Sequence, residues 1–155
     1  MNSIKEGWTA GLEPKYEDAG QALARVLVVD DLELFRTFVS SILKQQPGYE
    51  IVGEAADGLE AVQKAREYQP DLVVLDLNLP ELNGIEVAQR IRLCSPHSRI
   101  LLLTANKDSE LALCAFDAGV LGYVLKIDAV RDLPVAAKEV LSGRRFVSRR
   151  LGDQA

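Results

Sequence analysis

Five short apolar runs, each followed by a segment with helical spacing, restrict this chain more than anything else in its sequence. They lie at 25–29, 49–55, 71–75, 99–103 and 121–125, and they are rich in Val, Ile and Leu at consecutive positions. An uninterrupted apolar run of this length suits a strand buried on both faces. Between them, the spacing predicts helices at 32–46 (carrying Leu34, Phe38 and Ile42, ended by Pro47 and Gly48), 58–68, 85–94 and 109–118. A last helix is expected to start near Asp132, with Pro134 in its first turn and Gly143 as its C-terminal cap. Strict β-α alternation implies a parallel sheet with helices on both faces, and right-handed crossovers leave few topologies. The predicted fold is therefore α/β, a single five-stranded parallel sheet in the flavodoxin-like order 2-1-3-4-5. That order opens a crevice between strands 1 and 3.

Hydrophobic residues make up 48% of the 155, enough to close one core of this kind. The expected organisation is a weakly ordered arm at 1–23 with a short helix around Trp8, a domain at 24–143, and a basic tail at 144–155. A net charge of -5 argues against a broad nucleic-acid footprint. The basic run Arg144, Arg145, Arg149 and Arg150 reads as a solvated linker, its charge favourable near a helix C-terminus. No apolar run approaches the roughly 18 residues of a membrane span, and residues 1–20 lack the apolar centre of a secretory signal. A cytoplasmic protein without a membrane partner is the expectation. Cys94 and Cys114 fall in apolar helical patterns and are expected to be small reduced core residues. His97, the only histidine, lies beside Pro96 in a loop and is expected at the surface.

In open parallel sheets, chemistry gathers at the carboxyl ends of the strands. Here strand 1 ends in Asp30 and Asp31, strand 3 in Asp76, strand 4 in Thr104 and strand 5 in Lys126. Singly, each has a plain explanation: an Asp after a strand is usually a cap, a Thr likewise, and a Lys a solvated charge. Jointly, they put three carboxylates, a hydroxyl and an ammonium on one edge. Two like charges about 4 Å apart repel by roughly 4 kcal/mol at an effective dielectric near 20. A hard divalent cation relieves that repulsion, and oxygen ligands with retained waters suit Mg2+. Asn78 is positioned to add its backbone carbonyl to the metal. Asp76 then becomes a nucleophile toward an activated phosphoryl group, with Lys126 and Mg2+ neutralising the equatorial oxygens and Thr104 bonding one of them.

The segments that carry this chemistry resemble bacterial two-component response regulator receiver domains, the CheY-like family, from about residue 25 to 143. The matching stretches are 26–31 ending in Asp30-Asp31, 72–80 with Asp76, Asn78 and Pro80, Asn83-Gly84, 102–105 with Thr104-Ala105, and 118–126 with Gly119, Gly122, Tyr123 and Lys126. The resemblance implies that Asp76 accepts a phosphoryl group from a sensor histidine kinase and that Asp30 and Asp31 serve the metal. It further implies that Thr104 and Tyr123 form a switch pair, that Lys126 contacts the phosphoryl group, and that Asn78 and Asn106 tune its lifetime. One departure stands out: Ile127 follows the lysine where many family members carry Pro, which leaves the geometry of that loop open.

The stretch 135–148 resembles the end of receivers that precede a LuxR-type helix-turn-helix. It implies a phosphorylation-controlled transcription regulator that dimerises on phosphorylation and meets DNA only through a further C-terminal domain. The chain ends at Ala155 and is read as the regulatory part of such a protein. The alternative is a stand-alone receiver acting through protein contacts without DNA. No enzyme activity is expected beyond self-phosphorylation and autodephosphorylation. A haloacid-dehalogenase-like phosphatase needs an acid two residues after the nucleophile, where Asn78 stands; a nucleotide-binding unit needs a glycine-rich first turn, and none lies between Asp30 and Phe38. A pseudo-receiver that only binds proteins would have little use for the Asp, Thr and Lys set.

Overall fold

Alternate residues of each central strand feed two separate apolar clusters, one on each face of a parallel sheet. In β1 (Ala24–Val29) Leu27 and Val29 enter one cluster, Val26 and Val28 the other. In β3 (Leu72–Leu75) Val73 and Leu75 oppose Leu72 and Val74, and β4 (Arg99–Thr104) divides in the same way. The alternation of side chains along a strand dictates this split. The computed structural model describes residues 22–152. The short helix expected around Trp8, with nearly all of the arm, lies outside the described residues.

Around these strands run α1 (Glu33–Lys44), β2 (Tyr49–Ala55), α2 (Gly58–Tyr68), α3 (Gly84–Cys94) and α4 (Ser109–Asp117). They are followed by β5 (Gly122–Leu125), a 3-10 turn at Lys126–Asp128, α5 (Ala129–Leu141), β6 (Phe146–Val147) and α6 (Arg149–Gly152). All pairings are parallel, in the order β2-β1-β3-β4-β5-β6. Helices α1 and α5 cover one face, while α2, α3 and α4 cover the other. Side-chain caps start three helices: Asp57 accepts from the Glu60 N–H, Asn83 from Glu86 and Asp108 from Glu110. Gly143 follows α5 at φ +83°, the left-handed geometry that a terminal glycine supplies without a Cβ clash. No helix among the described residues is long and apolar enough to cross a membrane.

Several expectations need correction. Among the described residues the sheet has six strands, because Phe146 and Val147 add to the free edge of β5: the Phe146 N–H donates to Leu121 O (3.0 Å) and the Ser148 N–H to Tyr123 O (2.9 Å). A two-residue strand inside a basic stretch leaves no periodicity to read. Helix α5 begins at Ala129, directly after the 3-10 turn, so Pro134 sits in its interior. The carbonyl it leaves without a helical donor belongs to Val130, a residue 69% exposed. Of the stripe expected on α1, Ile42 is buried while Leu34 is 86% and Phe38 39% exposed; Val39, Ile42 and Leu43 form the core side. Two apolar stripes share that helix, and spacing alone does not choose between them. Cys94 is only half-buried and Cys114 is exposed, since Ala112 and Ala115 take the inward positions of α4. His97 is exposed.

Gly84 opens α3 against the end of β3. A Cβ there would stand 2.6 Å from the Asp76 carbonyl oxygen and 2.7 Å from Leu77 Cα, both backbone atoms without freedom to yield. Gly84→Ala is therefore expected to lower stability by about 2 kcal/mol. Urea unfolding followed by circular dichroism should show a lower midpoint with an unchanged slope; an unaltered midpoint would contradict this packing.

Candidate functional site

The carboxyl edge is built by extending the sheet one residue beyond its strands. The Asp30 N–H donates to Ala55 O (3.1 Å) and the Asp76 N–H to Val29 O (3.0 Å), so both aspartates continue the ladder. The pairing of Val29 with Leu75 then sets Asp30 and Asp76 side by side. On the other side, Thr104 pairs with Leu125, so that Lys126 emerges next to the end of β4.

Each carboxylate is oriented by the chain just after it. Asp30 Oδ1 accepts from the Leu32 N–H (2.9 Å) and Asp76 Oδ1 from the Asn78 N–H (3.2 Å). Their other oxygens share one ammonium: Lys126 Nζ lies 2.8 Å from Asp30 Oδ2 and 3.3 Å from Asp76 Oδ2. Both aspartates are buried, whereas Asp31 is exposed at the mouth. The Lys126 ammonium also stands 4.3 Å from the centroid of the Phe35 ring, a cation–π contact from the first turn of α1. Nothing in the sequence pointed to Phe35, because an aromatic in an amphipathic helix reads as core.

Burial pushes the Asp76 carboxyl above its ordinary value; the Lys126 charge and the Asn78 N–H act against that, and the Asp30 charge adds to it. Burial alone would lower Lys126, but the hydrogen bond to Asp30 and the charges of Asp76 and Asp30 outweigh it, so its pKa rises. The ammonium is held charged while Asp76 is held under strain as an anion. Oxygen atoms of Asp30, Asp31 and Asp76 lie within 4.8 Å of one another. Among the described residues, Lys126 is the one ion-pair partner of Asp30 and Asp76. Three carboxylates against one ammonium leave charge for a divalent ion, and an all-oxygen donor set with an exposed member suits a hard, partly hydrated one. The residues present therefore fit Mg2+.

Thr104 and Tyr123 are both fully buried and are joined through a third residue. Thr104 Oγ1 accepts from the Asn106 N–H (3.1 Å), and the Tyr123 hydroxyl donates to the Asn106 carbonyl (3.0 Å). Burial, with the Asp108 charge, pushes the Tyr123 phenol up to about 12, so it remains a donor at any physiological pH. Asn106, expected from the sequence only to tune the phosphoryl lifetime, ties these two side chains together through its backbone, a link without a sequence signal. Asn78, by contrast, is exposed. The loop after Lys126 forms a 3-10 turn with Ile127 69% exposed, which resolves the geometry that the missing proline had left open.

Comparison with known proteins sets these features in a family. The response regulator receiver domain family matches residues 26–138. The response regulator protein VraR of Staphylococcus aureus is 38% identical over 119 residues, covering 77% of this chain. The chain spans 57% of the length of that relative. A two-component response regulator of the LuxR family from Aurantimonas sp. SI85-9A1 superposes with a TM-score of 0.81 at 40% identity, covering 85% of this chain and 94% of that one. The response regulator domain of Thermotoga maritima CheB superposes with a TM-score of 0.72 at 28% identity, over 77% of this chain and 97% of that one. With a doubly wound parallel sheet, an acidic cluster at its carboxyl edge and relatives of this kind, the chain belongs to the response regulator receiver domain family and is related to the LuxR-family regulators.

Proposed function

We propose that Asp76 is the phosphoacceptor of this receiver and that Asp30, Asp31, Asp76 and the Asn78 backbone carbonyl hold Mg2+ beside it. The observation that carries the reading is the Lys126 ammonium bridging Asp30 and Asp76 at 2.8 and 3.3 Å, next to the exposed Asp31. A carboxylate oxygen of Asp76 attacks phosphorus as the donor's bond to phosphorus breaks, the electron pair leaving on the imidazole of a sensor histidine kinase. Lys126 shifts from its carboxylate partners toward a phosphoryl oxygen. Thr104 moves away from the Asn106 N–H, from which its oxygen accepts, and donates its hydroxyl to another oxygen of the same group. When bound, Mg2+ supplies the charge that lets an acidic site accept a further anion.

The phosphoryl group adds roughly -1.5 to -2 charges and three acceptors at the end of β3. Drawing Thr104 toward it loosens the Asn106 loop to which the Tyr123 hydroxyl is bonded, which is how the pair acts as a switch. In this reading residues 24–143 are the receiver proper, acting in the cytoplasm. Phosphorylation promotes a homodimer, and a DNA-binding module beyond this stretch controls transcription. The LuxR-family relatives support that output over a stand-alone receiver. Turnover is limited to self-phosphorylation and loss of the phosphoryl group.

Acetyl phosphate with Mg2+ is expected to add one phosphoryl group per chain by intact mass spectrometry, and Asp76→Asn to abolish it. Labelling that persists in Asp76→Asn would place the acceptor elsewhere. Lys126→Ala should slow phosphorylation about 100-fold, the usual cost of losing one preorganised charge donor.

Stability without metal depends on the same buried carboxyl. Because the folded pKa of Asp76 is raised, its contribution is favourable below the ordinary carboxylate pKa and is lost as pH climbs through that value to the folded one. At neutral pH the ionised group is a burden, so Asp76→Asn should melt about 3 °C higher than the parent chain in EDTA. Excess Mg2+ should raise the Tm of the parent chain more than that of the variant. A parent chain whose Tm ignores Mg2+ would sink the metal assignment.

A further inference from the structure

We propose that the segment after α5, comprising β6 and α6, is a clasp that positions Lys126 in the phosphoryl site. This rests on the reading of Lys126 as the partner of a phosphoryl oxygen. The segment runs through Arg144, Arg145, Arg149 and Arg150, all exposed, yet it sends two side chains fully inward: Ser148 at 0% and Leu151 at 2% exposure. Leu151 joins the same apolar cluster as Tyr123 and Leu125. A linker with no task of its own has no reason to bury a hydroxyl.

The buried hydroxyl is fully used. Ser148 Oγ accepts from the Leu125 N–H (2.9 Å) and donates to Asp132 Oδ2 (2.9 Å). Leu125 is the residue before Lys126, and Asp132 lies in the first turn of α5, just beyond the 3-10 turn that carries the lysine. One serine therefore ties together the chain on either side of Lys126. A second hook closes the turn itself: Arg150 Nε donates to Asp128 Oδ1 (3.1 Å). Asp128 is buried and its Oδ2 has no partner among the described residues, so the cations at Oδ1, Arg150 and Arg131, are its ion-pair contacts. The backbone bond from the Ser148 N–H to Tyr123 O adds a third attachment, to the strand that leads into the lysine.

Lys126 therefore stands on a turn gripped from below by the segment that leads out of the domain. Opening the clasp frees the turn and lets the ammonium drift from the acidic edge. By thermodynamic reciprocity, occupation of the phosphoryl site must tighten the clasp by the same factor that the clasp improves occupation. Ser148 and Arg150 act as positioning residues, and a load applied to the chain beyond α6 is felt at Lys126.

Beryllofluoride with Mg2+ is the probe, titrated by calorimetry into the 155-residue chain and its variants. Ser148→Ala is expected to weaken its binding about tenfold, and Arg150→Ala about fivefold, within the usual range of coupling between sites. In the parent chain, saturating beryllofluoride should slow amide exchange at Phe146 and Ser148 about tenfold, and in Asp76→Asn it should not. A purely structural role for Ser148 would lower Tm but leave both readouts unmoved. If Ser148→Ala does not fold, Arg150→Ala and the exchange of the parent chain decide. Lys126→Ala separates the two levels. Should it bind the probe as well as the parent chain does, the reading of Lys126 falls and the clasp with it. Should Lys126→Ala weaken binding while both clasp variants bind normally and exchange is unchanged, the clasp alone is overturned.

Discussion

The ammonium of Lys126 between Asp30 and Asp76 is the interaction around which the carboxyl edge is organised. Two buried carboxylates side by side are tolerable only with a cation between them, since removing that cation leaves both charges uncompensated, at a cost of typically about 3–5 kcal/mol. Every element that reaches the site serves that arrangement in some way. The Val29–Leu75 pairing brings the aspartates together, and the Thr104–Leu125 pairing delivers the lysine. Phe35 lays an aromatic face against the ammonium, and the Leu32 and Asn78 N–H groups aim the carboxylates.

The site is electrostatically unfinished. One ammonium faces three carboxylates, and burial makes the Asp76 anion costly. A divalent cation would offset that imbalance, and in the proposed function an incoming phosphoryl group would shift it again. In the proposed function the response would have a mechanical route on each side. Toward β4, Thr104 and Tyr123 meet on the two backbone groups of Asn106. Toward β5, the turn bearing Lys126 is continuous with α5 and is held by β6 and α6.

The central fold was legible because its signals are redundant. Five apolar runs and the glycine and proline stops all point to the same alternation, and five strands fall where the runs predict them. The strand-end residues were legible for the same reason: a parallel sheet collects its carboxyl ends on one edge whatever the loops do. Where a single local signal had to decide, it misled. On α1 two apolar stripes compete, and the spacing of Leu34 and Phe38 marks a helix without marking its buried face. In α4 the thiol of Cys114 looked like a core residue, but the phase of the helix turns Ala112 and Ala115 inward instead.

By itself, then, the amino-acid sequence determined the class of fold and which residue types gather at its edge, since both follow from strand order and hydrophobic period. Tertiary structure decided what periodicity does not encode: the sixth strand at Phe146 and Val147, the Phe35 face against Lys126, the Asn106 link, and the burial of Ser148 between Leu125 and Asp132. Each of these joins residues that are unremarkable in their own neighbourhoods. They become partners only because a free strand edge and a fixed register bring them within hydrogen-bonding distance, and such proximity is a property of the folded chain.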